Sequence, residues 1–381
     1  MKTNWGGGLE RARARFAERV SARLFTEVTE RPLTKPGRDA ASLAAAAIAA
    51  VVHLLTFALA ALGVLIVVWA NSAFPLIPIV AAAALVGLAW LMRPRLGKPP
   101  KLDETVDPDT APALYALVNK VAERVGARPV WRIVLSPEFN ASYTVLGWRR
   151  RAVLVIGYPV WNILEPQERL ALLGHELGHG VNGDSRRGLL VGSSLGSLGE
   201  LSRTLVSRGA STDGEGLLVM VSAAAAQVML RVLSLPVIGL GMLQERLLAQ
   251  SGQRAEYYAD HLSAEVAGAA HAVGSLGKIR LASGSMISLR AATIRRESDI
   301  WAAQREWLRG RTAEDHARVV AAEEAEPHRV DASHPPTGLR MRAVRSRVYG
   351  GDVLVSNTAE MAVVDRELQP YLRDLAQAYR G

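Results

Sequence analysis

The sequence predicts an α+β protein, a mainly helical domain with a small β-sheet, to which one or two transmembrane helical hairpins are attached. Three observations carry this prediction. Residues 40 to 92 contain no Asp, Glu, Lys or Arg, a run too long for one buried helix. Three short stretches rich in β-branched and aromatic residues follow between 131 and 156. From residue 166 onward, helix start signals and apolar residues at three- and four-residue spacing prevail.

The first 40 residues are basic, with Arg11, Arg13, Arg15, Arg19, Arg23, Arg31, Lys35 and Arg38. Glu10, Glu18, Glu27 and Glu30 among them argue against an organellar transit peptide, and an amphipathic helix on the inner membrane surface is expected instead. A hydrocarbon core about 30 Å thick takes about 20 residues of helix, so residues 41–92 hold two crossings. The break falls at Asn71-Ser72-Ala73-Phe74-Pro75, giving helices over 43–69 and 76–92. That turn is uncharged, whereas Arg93, Arg95, Lys98 and Lys101 follow the hairpin, so both of its ends should face the cytoplasm.

A linker at Gly97-Lys98-Pro99-Pro100 leads to a helix over 111–125. Strands are expected at Trp131–Leu135, Ala141–Leu146 and Ala152–Ile156, the last two joined by the turn Gly147-Trp148-Arg149-Arg150. A strand edge beside a hydrolytic site can bind an extended peptide through main-chain hydrogen bonds. Asn140 and Ala141 are the candidates for that edge, and an ordinary structural strand fits them equally well. The sheet and its helices form one domain over 93–187 and 251–381. Between the two pieces, residues 188–250 are an insertion, Gly/Ser/Leu-rich at first, polar over 208–216 and strongly apolar over 217–243. Gln227 and Arg231 in the apolar part are costly against lipid, so a second membrane hairpin and a helical lid resting on the membrane both fit. The last third is helical at 300–309, 312–325, from 338 and over 359–378, with His334-Pro335-Pro336-Thr337 as an interruption.

The chemistry-bearing stretch is His175-Glu176-Leu177-Gly178-His179. Pro166 suits a helix's first turn, Gln167 and Glu168 complement its N-terminal dipole, Leu170, Leu173 and Leu177 form an apolar stripe, and Gly180 and Gly183 mark its end. On such a helix two histidines four apart share a face, so both imidazoles reach one metal ion and the glutamate between them points into the adjoining pocket. An H-E-x-x-H occurs by chance in on the order of one chain in a hundred of this length, so a third ligand is needed. A hydrolytic zinc site takes three protein ligands and keeps one position for water. Ser185 stands where a third histidine six residues on would be. Asp184 could approach only if the chain breaks at Gly183. Glu256, in Arg254-Ala255-Glu256-Tyr257-Tyr258-Ala259-Asp260, is the better candidate: Glu256 and Asp260 share a helix face, so one can bind metal while the other accepts a hydrogen bond from a ligating imidazole.

The chain has 381 residues, a charged fraction of 21% and a net charge of +9. Its mean hydropathy is +0.12 and its pI about 10.1. Basic residues flanking apolar helices account for this charge, and no nucleic-acid recognition motif is present. Cysteine is absent, which excludes disulfides and thiolate ligands.

In combination, His175-Glu176-Leu177-Gly178-His179 with Asn182-Gly183-Asp184, Glu256-Tyr257-Tyr258-Ala259-Asp260, Asn140-Ala141, and His334-Pro335-Pro336 with Arg340 resemble the HtpX-type membrane-embedded zinc metallopeptidases, relatives of the CAAX prenyl proteases. With the N-terminal hairpin, the resemblance spans about residues 40 to 345. It implies a zincin-like metallopeptidase domain with one zinc ion on His175, His179 and Glu256, Asp260 supporting a ligand, and an active site facing the cytoplasm. It further implies that His334 and Arg340 bind substrate or steady the transition state, and that the substrates are membrane or misfolded proteins. The long N-terminal segment, Arg231, and His261 where a small residue is expected depart from the family pattern. Two rival functions remain in view, a membrane adaptor that keeps the fold without catalysis and a zinc hydrolase of small molecules or lipids. The oligomeric state is not legible.

Overall fold

The computed structural model describes residues 22–37, 39–69, 76–94, 105–146, 149–182, 184–206, 217–325 and 335–379. The first 21 residues, the turn at 71–75, the linker at 97–100, the polar stretch 208–216 and His334 lie outside them. Two compact units divide the chain, one comprising residues 1–37, 98–185 and 252–381, the other residues 38–97 and 186–251.

In the first unit a helical stretch, α1 (residues 22–30), precedes a four-stranded sheet. The strands are β1 (Thr105–Val106), β2 (Arg132–Ser136), β3 (Ala141–Leu146) and β4 (Arg151–Gly157), in the order β1-β2-β4-β3. β3 and β4 form the expected antiparallel hairpin, with Leu146 opposite Arg151 and Arg150 in the turn at a φ of 52°. β2 runs parallel to β4, and β1 is a short antiparallel edge that sequence patterning did not anticipate. β3 is therefore the other edge. α4 (Pro112–Val125) and α6 (Pro166–Val181) pack with the sheet in a core that includes Leu114, Val118, Ile133, Leu154, Trp161, Leu170, Leu173 and Leu177. α5 (Tyr158–Trp161) leads from β4 towards α6. Further along come α9 (Ala269–Ala282), α10 (Ser285–Ile294), α11 (Ile300–Arg309), α12 (Ala313–Ala325), α13 (Thr337–Arg345) and α14 (Thr358–Ala378). Leu368 on α14 and Leu289 on α10 are fully buried in the same core.

The second unit holds α2 (Ala40–Trp69), α3 (Leu76–Leu91), most of α7 (Asp184–Val206) and the first part of α8 (Leu217–Ala267). α2 and α8 are long and apolar enough to cross a membrane, and α3 is a shorter apolar helix. α2 meets α3 closely at Gly63, where a Cβ would stand 2.8 Å from Val86 Cγ2. Val51, Leu54, Phe57, Val68 and Leu235 are exposed, as a lipid-facing surface would require. Some polar residues inside this unit pair across its helices. His53 Nε2 lies 2.9 Å from Ser193 Oγ, and Gln244 donates to the Ala45 carbonyl at 3.0 Å and accepts from Ser194 at 3.2 Å.

α8 differs from expectation in being continuous: the apolar stretch and the segment with Glu256 and Asp260 belong to one 51-residue helix, with Pro236 inside it.

Candidate metal centre

α6 is fixed at its start by Pro166 in the first turn and by a capping box in which Glu165 and Glu168 each bond the other's backbone N–H. Gly180 does not end it. The helix continues to Val181, and Gly180 instead makes room for Tyr143 of β3, whose Cε1 would lie 2.5 Å from a Cβ there. Two other glycines set the approach of α8. A Cβ at Gly174 would meet the Ser263 Cα at 3.1 Å, and one at Gly178 the Ala259 Cα at 3.2 Å. Ser263 donates to the Ala171 carbonyl at 2.7 Å, and Asn182 Nδ2, just past α6, to the Ala255 carbonyl at 3.0 Å. Bare backbone at one turn's spacing brings α8 in, and the two hydrogen bonds fix its register against α6. Glu256 and Asp260 are thereby set beside the two histidines.

The resulting geometry is specific. His175 Nε2 and His179 Nε2 are 3.2 Å apart, His179 Nε2 is 3.4 Å from Glu256 Oε1, and His175 Nε2 is 3.7 Å from Glu256 Oε2. Ligand atoms about 2.0–2.2 Å from a tetrahedral zinc ion lie about 3.3–3.6 Å from one another, and one donor atom from each of the three residues lies within 4.8 Å of the others, close enough for a common ion after small side-chain adjustments. Two nitrogens and one carboxylate oxygen, with no cysteine in the chain, are also the chemistry of a hydrolytic site.

Electrostatics act differently on the two rings. Burial, reinforced by the nearby His175 ring, pulls His179 down to about 4, which leaves its imidazole neutral with a lone pair to give. Burial also works against charge on His175, but a hydrogen bond to Asp260 and the charges of Asp260 and Glu256 outweigh it and raise this group. His175 Nδ1 stands 3.0 Å from Asp260 Oδ1, which fixes the ring so that Nε2 faces the donor cluster. Burial would raise Asp260 as well, yet the Arg340 guanidinium holds its carboxyl far below the usual range. Arg340 gives Asp260 two hydrogen bonds, from Nε at 2.8 Å and Nη2 at 2.7 Å, and its Nη1 is 3.4 Å from Glu256 Oε2.

A cavity of 420 Å³ opens over this cluster. Glu176, only 8% exposed, lines it together with His175, His179, Glu256, Asp260 and Arg340. Along one side run Phe139 to Tyr143, so Asn140 and the first residues of the edge strand β3 border the same space. Asn140 is held by its backbone, its carbonyl accepting from Gly157 N at 2.8 Å. Val160, Leu172, Leu276 and Ile279 supply an apolar wall.

The structure thus gathers His175, Glu176, His179, Glu256, Asp260, Arg340, Asn140 and Ala141 at one cavity. α7 begins at Asp184, whose side chain is not among those described. Sequence reasoning gave no role to Gly174, Tyr143 or Ser263, and none to Gly178 beyond its place in the motif. The four-residue spacing of Gly174 and Gly178 on the helix of the motif was the available signal.

Known proteins share this chain's pattern. Protease HtpX of Pseudomonas putida (strain W619) is 26% identical over 180 residues, 45% of this chain and 57% of that protein. Protease HtpX of Stutzerimonas stutzeri (strain A1501) is 25% identical over 178 residues, again 45% of this chain and 58% of the relative. The chain spans little more than half the length of these curated relatives. No solved structure matches. The model of peptidase family M48 matches residues 108–348, a stretch that holds both helices of the metal centre and the edge strand beside it, and the chain belongs to that family.

Proposed function

We propose that the protein is a membrane-bound, zinc-dependent endopeptidase that hydrolyses peptide bonds of membrane or misfolded proteins, its active site facing the cytoplasm. The observation that carries this reading is the convergence of His175, His179 and Glu256 in a cavity bordered by β3, an edge strand among the described residues. One zinc ion held by these three residues would supply Lewis acidity towards a water and the scissile carbonyl.

The chain's own residues do the rest. β3 takes the substrate as an added strand, binding its main chain whatever its side chains are. Glu176 accepts the proton of the attacking water and passes it to the leaving amine, and exclusion of bulk water strengthens its action. Asp260 keeps the His175 ring oriented, and Arg340 is a positioning residue that secures Asp260 through two hydrogen bonds. Membrane attachment rests on α2, α3 and the apolar part of α8, with the basic residues on both sides of α2 and α3 setting a multi-pass orientation.

Glu176→Gln tests the reading, because it removes the base and leaves the three ligands. Zinc content should stay at wild-type level while cleavage of an unfolded protein substrate falls by about 10²–10⁴-fold. Cleavage at near the wild-type rate would show that Glu176 is not the base.

A further inference from the structure

The N-terminal segment lies outside residues 108–348, the part that the family shares, yet its described part packs against two helices of the metal centre. Leu24 and Val28 of α1, both 4% exposed, stand one turn apart and bury one face of the helix. Val28 packs with Tyr257 of α8 and Ala343 of α13, and Phe25 and Leu33 close over the same cluster. Around this apolar contact the polar groups are matched. Arg254 of α8 donates to Glu27 at 2.9 and 3.2 Å, and the Arg342 guanidinium of α13 sits 4.8 Å over the Phe25 ring. Arg347, just beyond α13, donates to the carbonyls of Val28 and Arg31.

The two helices touched are the two that Arg340 and Asp260 join inside the site. On α8, Arg254 and Tyr257 are three apart and share a face, and Tyr257 is in turn three residues before Asp260, so the contact runs along the stripe next to the one that bears Glu256 and Asp260. On α13, Ala343 follows Arg340 by three residues. The inner joint and the N-terminal contact therefore act on the same pair of helices along adjoining stripes. This described part of the N-terminal segment buries its apolar face in protein, contrary to the expectation of a helix lying on the membrane surface.

We propose that residues 24–33 are a positioning clamp for the metal centre: by bridging α8 and α13, they hold Glu256 and the Arg340–Asp260 pair in the arrangement that binds the ion. The proposal rests on the zinc site assigned above. Without the clamp, α13 loses this support, Asp260 and Glu256 gain freedom, and the ion is held less tightly.

The experiment uses the full-length protein in detergent or nanodiscs and measures zinc affinity by competition with a chromophoric chelator. Deuterium exchange is followed in parallel on metal-free protein. Val28→Asp places a charge in the apolar contact and should weaken zinc binding by about tenfold, within the range usual for coupled sites. Exchange should rise over 254–261 and 337–345 and stay unchanged in the sheet and α4. Val28→Ile keeps the contact and should behave as wild type. Glu27→Arg weakens binding less, and adding Arg254→Glu restores it, which distinguishes a clamp from general destabilisation even if Val28→Asp fails to fold. Wild-type affinity in both Val28→Asp and Glu27→Arg, or no rescue in the double variant, overturns the clamp. A wild-type protein that takes up no zinc would instead overturn the metal site itself.

Discussion

His53 in one unit and the pair His175 and His179 in the other all sit on helices, and they differ in what their ring nitrogens face. In the apolar unit, His53 is 8% exposed and directs Nε2 at Ser193 Oγ, 2.9 Å away, and at the Leu190 carbonyl, 3.2 Å away. In the other unit, His175 and His179 direct Nε2 at each other and at the Glu256 carboxylate. The first arrangement satisfies a polar group with partners that donate or accept a proton. The second brings three potential electron-pair donors together, with the Arg340 guanidinium beside them, and that is a donor set that could hold a metal ion. Helical placement is common to both, so it does not mark a metal centre; convergence of lone pairs does.

The comparison breaks most sharply at Glu256. Glu256→Ala removes the only oxygen donor from the cluster, and the metal content of purified protein should fall from about one zinc ion per chain to near zero, with cleavage at background. His53→Ala, measured alongside, should leave the zinc content unchanged. Retention of zinc by Glu256→Ala would remove this residue from the site, and loss of zinc from His53→Ala would erase the distinction between the two histidine groups.

A smaller effect is expected one bond further out. Asp260→Asn keeps the shape of the side chain but removes the charge that orients His175 and anchors Arg340. Zinc affinity should drop by about 10–100-fold, as is typical for partners of ligating histidines, with little change in fold content by circular dichroism. An unchanged affinity would mean that the ring of His175 is oriented by its packing alone.

These contrasts also show what the sequence could and could not convey. The helix bearing the motif was legible because its signals are local: Pro166, the acidic first turn and the leucine stripe lie within one stretch of chain. The link from Glu256 to Asp260 was legible for the same reason, as a four-residue spacing. The continuity of α8 was not, since Pro236, Gly239, Gly241 and Gly252 resemble helix breakers. Apolar surroundings tolerate such residues within a helix, because a backbone in hydrocarbon has no water to which it could turn. Gly180 was misread for a related reason: a glycine near a helix end resembles a terminator, and only the ring of Tyr143, contributed by a strand 37 positions earlier, shows that it serves a close approach. The parallel pairing of β2 with β4 and the docking of residues 22–33 depend on contacts between distant parts of the chain. Neither leaves a local pattern.

The smallest expected effect sharpens the comparison from its other side. If His53 and Ser193 form an ordinary hydrogen bond between helices, a double-mutant cycle of His53→Ala and Ser193→Ala should give a coupling of about 0.6 kcal/mol, the average for such bonds within membranes. Thermal unfolding in detergent reads this out. The coupling stays small because the separated helices would find other partners for the same groups. A cycle of His175→Ala and Asp260→Asn, read as zinc binding, should be strongly non-additive, because Asp260 acts on the ion only through the imidazole that the first substitution removes. A large coupling in the apolar unit together with additivity at the metal centre would reverse the roles assigned to the two groups of histidines.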